Sequence, residues 1–571
     1  MADGDRTRMV PPHLGDAVIP HMPLFDKLLR FAHRSPPRIA IRDMNAGVEK
    51  TYMQLLTDAL ALRKTLRDSL SVEIQESLLQ RKEVFIALLA PGGYEYAVGF
   101  MAILALGAAV VPLSVVLPMQ EAKSFVLRSR CSSIVASTSA TPLAQAVAKS
   151  IASDGSGQFV SCVEVSPHIG SRLIRSGEVV ISSDAALDPN AASLVIFTSG
   201  TTGPPKGAVQ RRSYITGAAE DVADHYRITE NDVVLHLLPV HHVTGVGVNF
   251  LPYMVSGACV EFRSGSFDAA WTWERWRQGG LTIFSGVPTI YIRMMRYFET
   301  NIARLPEAQQ RGYVNGARSL RALMCGTSAL PAPVQQFWTK VLDGKRILTR
   351  YGATEFGAVM RVDVDPGKTP PNSVGRMPPG IAMKLREDGM VLVKGPHMFA
   401  KYLYDDKATA ESHDEEGYFK TGDIARKEGD YYFILGRASI DIIKSGGYKI
   451  SALDVEREIL GLEYVGEVMV VGVEDDEFGQ RVAAAVSLKE SDDDTQPASL
   501  SLETLRKDMR SRLAGYKMPT MLRVVKGEFP KSATGKVQKK ILGPQYFPQN
   551  YLQDPAVEVW DVTKRSAGSK L

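Results

Sequence analysis

The stretch richest in chemistry is Thr198-Ser199-Gly200-Thr201-Thr202-Gly203-Pro204-Pro205-Lys206-Gly207, which directly follows the apolar run Leu194-Val195-Ile196-Phe197. Glycines let backbone N–H groups approach a polyanion without side-chain clash, hydroxyls add donors, and a lysine adds charge. A strand leading into such a loop is how an α/β protein presents donors to phosphate. The loop is not a Walker A sequence, because Lys206 follows Pro205 and precedes Gly207. Gly535-Lys536 is followed by Val537 and fails the same pattern. A nucleophile elbow is missing too, since Gly326-Thr327-Ser328 continues as Ala329-Leu330.

Further polar and glycine-rich blocks lie downstream. They are Tyr351-Gly352-Ala353-Thr354-Glu355, Tyr418-Phe419-Lys420-Thr421-Gly422-Asp423, Gly436-Arg437, Ile443-Lys444-Ser445-Gly446-Gly447-Tyr448-Lys449-Ile450, and Pro530-Lys531-Ser532-Ala533-Thr534-Gly535-Lys536. Positioning them takes sheets. Apolar runs at 84–89, 194–197 and 233–237 alternate with amphipathic stretches, which predicts an α/β fold of sheets covered by helices. A buried helix is expected over 94–106, then a buried strand over 109–112. The pattern changes around Gly436-Arg437-Ala438-Ser439. A large N-terminal domain is therefore expected over 1–438 and a small α+β domain over 439–548, its polar segment 489–497 reading as a surface loop. Residues 549–571 read as a tail.

The chain has 571 residues, 45% of them hydrophobic, and a net charge of +4 from 67 basic and 63 acidic side chains. So slight an excess argues neither for nor against a polyanionic partner, and no nucleic acid is expected. The most apolar stretch, 97–117, is broken by Gly107 and Pro112, so no transmembrane segment is expected. Cys131, Cys162, Cys259 and Cys325 fit neither a disulfide framework nor a zinc site. No secretory signal is visible in the first 22 residues. The ending Ser569-Lys570-Leu571 is a receptor-read peroxisomal address, which predicts an import receptor as partner and a peroxisomal location.

Taken in order, these blocks resemble the signatures of the adenylate-forming superfamily, which includes acyl-CoA synthetases, luciferases and peptide-synthetase adenylation domains; the resemblance runs over 24–547. It implies an ATP-dependent ligase that activates a carboxylic acid as acyl-AMP and then transfers the acyl group to coenzyme A. Joining two anions requires neutralising charge as it develops on the α-phosphate. By the resemblance, Thr198, Ser199, Gly200, Thr201, Thr202, Gly203 and Lys206 hold the β- and γ-phosphates. Thr354 contacts the α-phosphate and Glu355 binds magnesium, which favours few carboxylates plus waters and phosphates. Tyr351 with Gly352 stacks on adenine beside Gly326, Thr327 and Ser328, while Asp423 and Arg437 hold the ribose. Lys536, reaching from the small domain, bridges carboxylate and α-phosphate. The small domain then rotates, and Gly446 and Gly447 line the thiol channel. The hinge usually carries Asp or Lys where this chain has Ser439, and Asp441 is a candidate substitute.

For the acid, His242 and Thr244 flank the acyl pocket in the resemblance. The region 281–297 with 445–455 looks most like malonyl-CoA synthetases, in which a basic residue at the position of Arg293 binds the distal carboxylate; guanidinium suits that task. Thr244 and Cys325-Gly326-Thr327-Ser328 depart from that group, so a fatty or polyketide-type acid stays open. Two other functions stay open as well: loading a carrier protein in trans, and an inactive scaffold. A carrier domain within the chain is not expected, because no Asp-Ser-Leu attachment motif follows residue 545.

Overall fold

The computed structural model describes residues 17–154, 159–174, 178–184, 186–198, 205–367, 369–489, 500–532 and 536–560. Ser199, Gly200, Thr201, Thr202 and Gly203 of the phosphate loop, most of the 489–497 loop, and the Ser569-Lys570-Leu571 ending lie outside them.

Two large sheets, a four-stranded sheet and a two-stranded pair (Val18–Ile19 with Val180–Ile181) build the N-terminal part. The first has seven strands and runs, edge to edge, from Lys401–Tyr402 through Lys206–Arg211, Ala192–Thr198, Ala109–Leu113, Phe85–Leu89 and Ser133–Ala136 to Ser161–Glu164. Its inner pairs are parallel, and Ala192–Thr198 turns back antiparallel onto Lys206–Arg211. That reversal places both ends of the phosphate loop on adjacent strands. The central strands Phe85–Leu89 and Ala109–Leu113 are buried at every position, as expected for a parallel sheet covered on both faces. Helix Tyr94–Ala105 joins them, almost wholly buried; its apolar residues all round fit it for the layer between sheets.

The second sheet has eight strands, with Gly357–Arg361, Leu348–Ala353, Ala322–Cys325 and Ile283–Gly286 at one end. Leu348–Ala353 pairs parallel with Ala322–Cys325 and antiparallel with Gly357–Arg361. A four-stranded antiparallel sheet, Ala382–Leu385, Met390–Lys394, Phe419–Glu428 and Tyr431–Arg437, completes this part. The six-stranded C-terminal sheet begins at Ile442–Ser445 and packs its own core around Val455, Ile459, Val470, Val486 and Leu505. It takes in Glu558–Val559, which pairs with Met521–Val525. That strand lies past residue 548, where the sequence reading ends the small domain; an edge strand this short leaves no periodic signal.

No helix among the described residues is long and apolar enough to cross a membrane. Cys131, Cys259 and Cys325 are buried free thiols and Cys162 is half-buried.

Candidate active site between the two domains

A single cavity of about 1600 Å³ opens where the sheets and the C-terminal domain meet. Thr198, Lys206, His242, Thr244, Arg293, Thr327, Ser328, Tyr351, Gly352, Thr354, Glu355, Asp423, Arg437 and Lys536 all line it. Residues separated by hundreds of positions in sequence thus share one wall.

One side of the cavity is organised by paired charges. Tyr351 donates its hydroxyl hydrogen to Asp423 at 2.6 Å, and Arg437 Nε lies 2.8 Å from the other carboxylate oxygen. Burial pushes the Asp423 carboxyl up, against the pull of Arg437 and Tyr351; it pushes the Tyr351 phenol well up, helped by the Asp423 charge. The aromatic ring is thereby fixed beside an acceptor and a donor, an arrangement suited to a purine and its ribose hydroxyls. Glu355 accepts from the Tyr402 hydroxyl at 2.9 Å, and Lys206 Nζ stands over the Tyr402 ring at 5.1 Å. Gln210, on the strand that leaves the phosphate loop, donates to the Thr354 carbonyl at 2.7 Å. Sequence reasoning missed Gln210 and Tyr402, which sit in no glycine-rich block.

The hairpin carrying Thr354 and Glu355 closes tightly. A Cβ at Gly352 would meet the Gly357 carbonyl oxygen at 2.0 Å, so only glycine permits that approach. Thr327 adopts φ +78°, in the region that side chains rarely occupy, and its buried hydroxyl has no hydrogen-bond partner among the described residues. Such a residue is characteristic of a ligand-facing turn.

Lys536 keeps contact with solvent inside the cleft, yet its pKa is lowered, first by crowding from protein and then by Arg437, while Asp423 and Asp441 oppose the shift. It also acts on His242, so the lysine points into the site from the small domain. His242 bonds Thr244 Oγ1 at 3.0 Å, and burial, then Lys536, brings its pKa down to about 4. It is therefore neutral at pH 7.

The link between domains is tied at Asp441. Its carboxylate accepts from the Arg437 amide at 3.0 Å and from Lys539 at 2.7 Å, while Lys539 also meets Glu456 at 2.8 Å. Asp441, the candidate substitute for the hinge residue, thus makes contacts to Arg437 and Lys539, and both it and Ser439 line the cavity.

Two expectations fare differently. Gly446 and Gly447 do not line the cavity; they form the tip of the hairpin joining Ile442–Ser445 to Tyr448–Ser451, with φ of +55° and +83°. With Lys536 turned inward, that tip faces elsewhere. Arg293 reaches the rim but lies 3.5 Å from Glu528 of the small domain and is half exposed. Its neighbour Arg296 pairs with the same carboxylate at 3.1 Å and donates to the Gly466 carbonyl at 2.8 Å.

Comparison with known proteins shows the family and the fold. Residues 28–403 match the AMP-binding enzyme family and residues 454–536 its AMP-binding enzyme C-terminal domain. A malonate–CoA ligase of Arabidopsis thaliana is 32% identical over 91% of this chain and 88% of its own. The acyl-CoA ligase oryP of Aspergillus oryzae is 30% identical over 95% of this chain and 96% of its own. Among solved structures, ATP-bound MatB from Rhodopseudomonas palustris shares the fold with a TM-score of 0.75 at 24% identity, over 93% of this chain and all 100% of the other.

Proposed function

The chain belongs to the AMP-binding enzyme family and is an AMP-forming acyl-CoA ligase; on that premise we propose that its substrate is a malonate-like acid, one carrying a second carboxylate. The observation that supports this is Arg350, which is 8% exposed, lines the cavity, and has no carboxylate of the described residues within ion-pair distance. A buried cation without a counter-charge is costly unless a ligand supplies one. The names of the malonate–CoA ligases among the relatives point the same way.

In this reading the substrate carboxylate attacks the α-phosphorus of ATP, the bond to the β-phosphate oxygen breaks, and pyrophosphate leaves. Lys536 and Thr354 hold the charge that develops, while Asp423, Arg437 and Tyr351 fix the nucleoside. Glu355, a single accessible carboxylate beside the phosphate strand, fits a magnesium ion held mainly through phosphates and water. Magnesium would supply electrostatic stabilisation of the phosphates there. Coenzyme A thiolate then attacks the acyl carbon, the bond to the phosphate oxygen breaks, and AMP departs. His242, neutral at pH 7, takes part as a hydrogen-bonding wall rather than a cation.

A second reading, a fatty or polyketide-type monocarboxylic acid, is favoured by the apolar side chains Val222, Val248, Val359 and Ile381 that share the same cavity. Pyrophosphate release with ATP and CoA over dicarboxylic and monocarboxylic acids, repeated with Arg350→Gln and Arg293→Ala, tests both. Turnover confined to monocarboxylates would discard the malonate-like reading. The peroxisomal address rests on Ser569-Lys570-Leu571 alone, and removing that tripeptide from a fluorescent fusion tests it.

A further inference from the structure

Arg350 does not stand alone. On the antiparallel hairpin Leu348–Ala353 and Gly357–Arg361, Arg350 is paired in register with Arg361. Residues directly opposite in such a pair project to the same face, and like charges so placed repel. Alternation along the strand puts Tyr351 on the opposite face, where it meets Asp423. One hairpin therefore serves the nucleotide with one face and presents two guanidinium groups with the other.

Both arginines are buried, Arg361 at 5% exposure, and both line the cavity. Arg350 Nη2 donates to Ser285 Oγ at 3.0 Å, and its Nη1 is enclosed without a hydrogen-bond partner among the described residues. Arg361 donates from Nε to the Ala358 carbonyl at 2.8 Å and from Nη1 to the Asp221 carbonyl at 2.7 Å. The Asp221 carboxylate turns instead to His397, 3.3 Å away. Neither guanidinium forms an ion pair with any described residue. Burial first, and the charge of Arg350 among the rest, hold Arg361 below its ordinary pKa, while Tyr226 and Asp221 oppose this. Tyr226, fully buried, is a neutral group on which both arginines act, Arg361 through its charge and Arg350 through its charge and a loose hydrogen-bonding contact to the hydroxyl, which supplies no counter-charge.

The pair sits back from the reacting end. Arg350 lies three residues before the end of the strand that delivers Thr354, about 10 Å at a rise of ~3.3 Å per residue. We infer that Arg350 and Arg361 form one anion seat at the floor of the acyl pocket, which selects acids whose additional carboxylate lies several bonds from the carboxyl being activated. The inference rests on the dicarboxylate reading and narrows it, since malonate has a single methylene between its carboxyls. Arg361 is then a specificity-determining residue that acts on substrate directly. The Ser285 hydroxyl positions Arg350.

The test compares kcat/KM for malonate, glutarate, adipate and propane-1,2,3-tricarboxylate with that for butyrate and hexanoate, in the full chain and in Arg361→Gln and Arg361→Lys. The ratio of polycarboxylate to monocarboxylate turnover within one preparation is insensitive to partial misfolding. The expected result is a preference for glutarate, adipate or the tricarboxylate over malonate. That ratio should fall roughly thirtyfold in Arg361→Gln and recover in part in Arg361→Lys. Malonate preferred, with a ratio unchanged in Arg361→Gln, would overturn the seat and leave the dicarboxylate reading standing. Turnover of monocarboxylates alone would overturn both.

Discussion

The two faces of the cavity treat charge in opposite ways. On the side of Asp423, the proposed nucleotide side, the charged groups have protein partners: Asp423 has Tyr351 and Arg437, Glu355 has Tyr402, and Lys536 feels Asp423 and Asp441. On the proposed acyl side Arg350 and Arg361 sit opposite each other on a strand pair with no carboxylate of the described residues within ion-pair distance, although the Asp221 charge acts on Arg361. Groups that serve an invariant cosubstrate can be pre-assembled against protein partners, and preorganisation of this kind is what stabilises developing charge. Groups that choose among acids gain by leaving their counter-charge to the substrate, because a wrong acid then leaves a buried cation unpaired.

The largest effect that would sharpen this contrast is at Lys536. Lys536→Ala should reduce adenylate formation roughly a thousandfold or more, while thioester formation from supplied acyl-AMP continues. Overall ligation at an undiminished rate would break the assignment of the nucleotide face. Next comes the hairpin that serves both faces. Gly352→Ala forces a Cβ against the Gly357 carbonyl and should cost roughly 2–4 kcal/mol of stability. Calorimetry reads the stability, and the selectivity ratio should deteriorate together with ATP affinity; if only one of them changed, the two faces would not share a mechanical origin.

A smaller effect is expected at the rim. Glu528→Gln removes the shared partner of Arg293 and Arg296, which are half exposed or nearly so. Exposed pairs contribute little, so adenylation should fall by no more than about threefold. A loss comparable to that of Lys536→Ala would show that the rim, not the floor, governs the site.

Two pH responses close the series. Lys536 must be protonated to bridge anions and its pKa is lowered, so the adenylation half-reaction should decline as pH rises through a value below the ordinary 10.5. His236 is buried, bonds the Gly245 carbonyl at 2.9 Å, and is held by burial at about 4. The unfolded chain binds that proton near 6.5 and the folded one near 4. Its contribution is thus complete above 6.5 and is lost as pH falls toward 4, by roughly 3 kcal/mol. His236→Gln should flatten that acid limb in thermal melts.

That Thr198, Lys206, Tyr351, Thr354, Glu355, Asp423, Arg437 and Lys536 would share one cavity was largely legible in the sequence, because phosphate binding demands glycine, hydroxyl and lysine at short range and such blocks stand out against ordinary composition. The acyl face was not. Arg350 and Arg361 become neighbours only once the turn at 354–356 pairs their strands, and Arg293, singled out by the resemblance to malonyl-CoA synthetases, lies 3.5 Å from Glu528. Two arginines at nearly equal distances from a tight turn, with one bulge residue taking up the difference, were the available signal. The α/β layering and the buried Tyr94–Ala105 helix followed from apolar runs, whereas the strand Glu558–Val559 and the direction of the Gly446-Gly447 tip depend on tertiary packing that no local pattern encodes.

The opposed arginines also bear on how the protein behaves during purification. A folded chain short of negative charge at the floor of its pocket retains whatever organic anion in the cell neutralises it best, and the resulting complex survives chromatography at low ionic strength more readily than at high. Mass spectrometry of the small molecules released on denaturing a gently prepared sample would then let the enzyme report its own metabolite, with no candidate acid chosen beforehand.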